Sequence, residues 1–217
     1  MADHSRAVSE LLQRCGQTYS EEAGIRLADK PSPLYQLLVL STLLSARISG
    51  DIAVAAAREL FAAGYTTPTA MTAASWQDRV DALGRGHYRR YDERTATMLG
   101  DGAAQLTGKW RGDLRRLRDE AGGDVGQIGD LLTGFPGIGP AGASIFLREV
   151  QEVWPSVAPY ADERVLAGAR RVGLPASRDK LAAVLADSGH PARLAAALVR
   201  VSLSHRAAAE VTARISG

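Results

Sequence analysis

The chain has 217 residues, of which 46% are hydrophobic and 23% charged, with a net charge of +2. This is enough apolar material to bury a core as one domain or two small lobes, and it excludes a disordered chain. The longest apolar runs, such as Leu37 to Leu44, stop well short of the roughly 20 residues of a membrane span, and the polar N-terminus is unlike a signal peptide, so a cytoplasmic protein is expected.

A single cysteine, Cys15, excludes internal disulfides and any cluster or zinc site that needs several thiolates. It reads as a small buried residue of the first helix. The apolar spacing is helical almost throughout, and β-branched runs bounded by turn signals are rare, which predicts an all-α fold. Segments 4–15, 33–46, 51–63, 69–82, 91–107 and 111–120 each carry an apolar stripe, with Gly and Pro clusters between them. Helices are expected to follow at 125–134, 141–153, 162–172, 177–187 and 191–213. So many short helices with brief connections predict two helical lobes. Glu149 and Glu152 are expected on a solvated face, Trp154-Pro155 reads as a hinge, and His190 and His205 read as packing or surface residues.

Charge is unevenly distributed. Between Asp81 and Arg118 stand nine Lys or Arg (Arg85, Arg89, Arg90, Arg94, Lys109, Arg111, Arg115, Arg116, Arg118) against five acids, a local excess of four, with His87, Tyr88, Tyr91 and Trp110 interleaved. Such a stretch suits phosphate binding, and equally a solvated helix face.

The sharpest local signal runs from Leu131 to Ala143, Leu-Leu-Thr-Gly-Phe-Pro-Gly-Ile-Gly-Pro-Ala-Gly-Ala. A helix ends at Gly134, and a tight glycine-rich turn opens directly into another helix. Glycine lets a backbone approach a ligand closely, and free amides at a helix start favour an anion. The residues by themselves leave open a phosphate-binding hairpin and an ordinary turn between helices.

Phe135 to Ala143 resembles the helix-hairpin-helix of the DNA glycosylase superfamily to which endonuclease III belongs, and Gly-Ile-Gly-Pro also resembles its alkylated-base branch. Tyr160-Ala161-Asp162-Glu163-Arg164-Val165, ending in Arg171-Val172-Gly173-Leu174, is similar to that family's aspartate segment. Leu37 to Arg47, containing Leu43-Leu44-Ser45-Ala46-Arg47, is similar to its helix ending in Leu-Leu-Ser-Ala-Gln, and Gly86-His87-Tyr88 stands where the family has Gly-Leu-Tyr. Four segments in the family's order, over roughly 33 to 174, are far more specific than any one.

The resemblance implies two helical lobes with a DNA-binding cleft between them. One would be formed by about 30–154, the other by an N-terminal helix within 1–29 packed with 155–217. It implies a double-stranded DNA partner and a base turned out of the stack for chemistry, with Asp162 catalytic and Tyr160 a pocket wall. DNA contacts would come from Gly137, Gly139, Ala141 and Gly142, and from Arg47 and His87 at positions that fill the gap left by a flipped base. A Na+ or K+ ion would be held by the main-chain oxygens of Thr133, Phe135 and Ile138. A monomer is expected, and no cofactor is required.

Asp162 also follows from chemistry. Breaking an N-glycosidic bond builds up positive charge on the sugar, which a fixed carboxylate stabilises while it polarises the incoming water. Asp is equally a common N-cap for a helix starting near Glu163, and the two roles are compatible. The departures narrow the activity. Ala141 stands where members with lyase activity have lysine, and it cannot form a Schiff base. The four-cysteine iron–sulfur loop of many relatives is missing, Arg47 replaces the usual glutamine and His87 the usual leucine. The expected function is a monofunctional base-excision glycosylase. The alternatives are a bifunctional enzyme using a relocated lysine (Lys30, Lys109 or Lys180) and a non-catalytic protein that recognises DNA structure or damage.

Overall fold

The computed structural model describes residues 4–216, and among these there are fourteen helices and no strand. The all-α expectation holds. By contacts the chain forms two compact units, Ser20–Ser156 on the one hand and the N-terminal stretch through Tyr19 with Val157 onward on the other.

The larger unit is organised by α3 (Pro31–Leu44), in which nine residues from Leu34 to Leu43 are buried. Its sequence is apolar on every side rather than striped, which is the pattern of a helix enclosed by others. It packs against α4 (Gly50–Ala62), α7 (Asp92–Trp110), α8 (Leu114–Glu120) and α10 (Pro140–Val150), while α9 (Val125–Thr133) leans on α8 and α10. A four-residue helix, α2 (Tyr19–Glu22), was not predicted, being too short to show a period.

The single helix expected over 69–82 is two, α5 (Pro68–Ala73) and α6 (Trp76–Arg85). Ala74 is extended, and Ser75 starts the second helix with a capping box: its hydroxyl accepts from the Asp78 amide at 3.1 Å, and the Asp78 carboxylate accepts from the Ser75 amide at 3.0 Å. The break is held by Arg79, which is only 9% exposed. Its guanidinium donates to the carbonyls of Met71 (2.9 Å) and Ala74 (2.8 Å), satisfying acceptors that the end of α5 leaves open, and to that of Ala96 (2.9 Å) in α7. Arg79→Met is expected to cost about 3 kcal/mol, because buried carbonyls lose charged donors. Chemical denaturation would show this as a lower midpoint with an unchanged slope.

The smaller unit is built on α13 (Pro191–Leu203), which packs against α1 (Ser5–Cys15), α11 (Glu163–Arg171), α12 (Arg178–Asp187) and α14 (His205–Ser216). Leu11, Val165, Leu181, Leu185, Leu194, Leu198 and Val211 form its core. At Gly168 a Cβ would lie 1.9 Å from the Leu198 carbonyl oxygen, so only glycine lets α11 and α13 come this close. The helix predicted over 191–213 is interrupted at Ser204, whose backbone is extended and whose hydroxyl accepts from the Ala207 amide at 3.2 Å. Cys15 is half-buried at the edge of this core rather than enclosed by it.

One further expectation fails and another is refined. Glu149 is buried and accepts from the amide and hydroxyl of Ser20 at 2.9 and 2.6 Å, whereas Glu152 is exposed as expected. Trp154-Pro155, expected as a hinge, stands just before Ser156, where the larger unit ends, but the Trp154 side chain itself is fixed in place. It is buried in the larger unit, donates to Asp29 at 2.9 Å, meets Phe146 edge-on and carries the Arg118 guanidinium over its ring. Among the described residues no helix is long and apolar enough to cross a membrane.

Candidate functional site

The glycine-rich turn of the larger unit joins α9 to α10. Asp124 caps the start of α9 by accepting from the Gln127 amide at 2.8 Å, and the helix ends at Thr133 with Gly134 as C-cap. The turn alternates in direction. Phe135, Ile138 and Gly142 are buried, while Gly137, Gly139, Pro140 and Ala141 are exposed. Phe135 packs against Trp110, and its carbonyl accepts from the Ile138 amide at 3.1 Å. The apolar residues therefore hold the turn down and present its glycines outward.

Gly137 has φ +83°, and a Cβ there would meet Met98 Sδ at 2.9 Å and Thr42 Cγ2 at 3.1 Å. Both the left-handed backbone and the close packing demand glycine. A Cβ on Gly142 would meet Ser45 Oγ at 2.3 Å. The turn is thus seated on the end of α3 through Thr42 and Ser45, and on α7 through Met98.

No side chain caps α10. Among the described residues, the amides of Gly137, Gly139, Ala141 and Gly142 donate to no acceptor. Pro140 occupies the first helical position, where a missing N–H costs nothing. Unpaired amides at the positive end of a helix dipole form an anion cradle. At the back of the turn the carbonyls of Thr133 and Ile138 accept no hydrogen bond from a described residue, and that of Phe135 accepts one. Neutral main-chain oxygens without a carboxylate suit a monovalent cation better than a divalent one.

The same end of α3 carries the other two segments singled out in the larger unit. Tyr88 is buried and its hydroxyl donates to the Leu43 carbonyl at 3.2 Å; burial pushes its phenol above the ordinary value, so the donor keeps its proton. This bond ties the loop after α6 to α3. Between buried Gly86 and Tyr88, His87 is exposed with φ +63°, a left-handed conformation that is uncommon for histidine and is held here by its neighbours. Arg47, just beyond α3, is exposed. The supports Thr42, Ser45, Met98 and Tyr88 were not singled out for that role. Thr42, Ser45 and Tyr88 lie within the quoted segments, whereas Met98 gave no local signal.

The basic stretch sorts itself by pairing. Arg85 pairs with Glu59, Arg115 with Asp113, and Arg118 with Asp29 and Asp119. Exposed Arg89, Arg90, Arg94, Lys109, Arg111 and Arg116 have no ion-pair partner among the described residues. They are the cations available to a polyanion.

Asp162 lies in the smaller unit as the N-cap of α11. One carboxylate oxygen accepts from the amides of Arg164 (3.1 Å) and Val165 (3.0 Å), which fixes its rotamer and directs helix-dipole positive charge at it. It is half-buried, as is Tyr160. Arg178 steadies the segment by donating to the Ala161 carbonyl at 3.0 Å and to Glu163 at 3.2 Å.

A solved structure of an endonuclease III, trapped as a covalent intermediate with DNA in an estranged-adenine complex, aligns with a TM-score of 0.51 over 89% of this chain and 81% of that one. The chain has the helical fold of an endonuclease III. Sequence identity in this alignment is 17%. No protein-family model matches the sequence, and no curated protein does.

Proposed function

We propose that this endonuclease III-like protein is a monofunctional DNA glycosylase, which turns a damaged or mismatched base out of the duplex and removes it with water. The observation that carries this reading is the cluster of four amides, of Gly137, Gly139, Ala141 and Gly142, in the turn and first residues of α10, which donate to no acceptor among the described residues. It suits a backbone phosphate, and a solved structure of similar fold is a complex with DNA. The unpaired arginines and Lys109 add sequence-independent attraction, so affinity falls steeply with salt. Arg47 and His87, on segments tied to the same helix end, are the side chains to occupy the gap left by a flipped base.

Asp162 supplies the chemistry. Its carboxylate, rigidly held as a cap, stabilises positive charge developing on the sugar and polarises the attacking water. Exposed Ala141 offers no amine, so no imine forms with the sugar and the strand is left intact at an abasic site. No iron–sulfur cluster or other cofactor is needed. A Na+ or K+ on the oxygens of Thr133, Phe135 and Ile138 would reinforce the positive potential of the cradle, and Tyr160 would wall the base pocket.

The test is a set of duplexes, each carrying one defined lesion or mismatch, incubated with the protein, with half of each reaction then heated in alkali. Strand breaks only after alkali, for one lesion, are the expected result, with no borohydride-trapped adduct. Breaks before alkali together with a trapped adduct would show that a relocated lysine acts. Tight lesion binding without base release on any duplex would favour a damage-binding protein.

A further inference from the structure

α12 is covered less completely than its sequence requires. Between the charged residues at its ends, from Leu181 to Ala186, it reads Leu-Ala-Ala-Val-Leu-Ala, with no polar residue for nearly two turns, and such a stretch is normally covered on more than one side. Only Leu181 and Leu185 are buried. Beside that buried face, Lys180, Ala183, Val184 and Asp187 follow at i, i+3, i+4 and i+7, and so form one stripe about 10 Å long. The stripe lines a groove of about 1340 Å³, whose opposite wall is α1. There Val8 and Leu12 stand one turn apart, and like Val184 they are only partly buried at the edge of the core.

The charges identify what fits. Lys180 is at one end of the stripe, Asp187 at the other, and Ala183 and Val184 lie midway. Neither charged residue has an ion-pair partner among the described residues. Turned end for end, the same stripe offers Asp187 to Lys180 and Lys180 to Asp187, and exposed Ala183 lets two backbones approach closely. We infer that two copies of the chain associate through α12, antiparallel about a two-fold axis at Ala183–Val184, each α12 seated in the groove that the other forms with α1. A two-fold interface must be self-complementary in this way. The patch is small, which places the dimer among weak, transient associations, and the monomer expected from sequence is then the form at low concentration.

Sedimentation of the full chain across the micromolar range tests this. The expected result is a concentration-dependent monomer–dimer equilibrium. Lys180→Glu and Asp187→Lys each set like charges opposite one another twice per dimer, and each is expected to weaken association at least about tenfold. The double variant, Lys180→Glu with Asp187→Lys, restores complementarity and should dimerise like the original chain. Since both positions are exposed, circular dichroism should show all three variants folded. A chain that stays monomeric throughout, single variants that associate normally, or a double variant no better than the singles would each overturn the proposal.

Discussion

Asp162→Asn is expected to lower base release by at least about a hundredfold, the effect of removing one preorganised electrostatic contact to a transition state. DNA affinity should stay close to that of the unsubstituted chain. Asparagine keeps the shape and an oxygen that can accept from the Arg164 and Val165 amides, so the start of α11 remains capped. Only the charge disappears. The loss should therefore fall on the chemical step in single-turnover assays with saturating protein, while gel-shift affinity and thermal unfolding barely move. Base release that survives undiminished would remove the main reason for regarding the protein as an enzyme.

The second large effect is expected at Gly139. Its backbone is extended, at φ −96° and ψ −171°, and a Cβ built there meets nothing within 4 Å. Aspartate is therefore accommodated without strain, and as N-cap of α10 it should leave stability unchanged or raise it by a few tenths of a kcal/mol. The same carboxylate would occupy the cradle proposed for a phosphate. Gly139→Asp is thus expected to bind every duplex at least about tenfold more weakly, with a salt dependence reduced by about one phosphate contact. Gly139→Asn, equally able to cap but neutral, should retain more binding, so the difference between the two isolates the charge. Normal binding by the aspartate variant would show that the hairpin does not contact DNA. The test is cleaner at Gly139 than at Gly137, where any side chain would also collide with Met98 and mix packing with electrostatics.

What the sequence determined by itself is whatever acts over a few residues. Spacing fixed the helical class, although segment 33–46 is expected to carry a stripe and α3 is instead enclosed; the glycines and Pro140 marked a turn opening a helix, and Asp162 was legible as a cap. The breaks at Ser75 and Ser204 were missed: each hydroxyl accepts from an amide three residues on, but the apolar stripe continuing across them hid the interruption. Tertiary structure alone decided how distant segments meet. Glu149 looks like a solvated helix residue until Ser20, 129 positions away, supplies two donors that make its burial tolerable. In the same way the end of α3 gathers the hairpin through Thr42 and Ser45 and the His87 loop through Tyr88. The pairing of Arg115 with Asp113 is local, but no local pattern shows that Arg85 is neutralised or that Arg118 also meets Asp29, because Glu59 and Asp29 lie far away in sequence. Periodicity and capping are short-range consequences of backbone geometry, whereas burial of a charge is decided by what the folded chain brings within hydrogen-bonding distance of it.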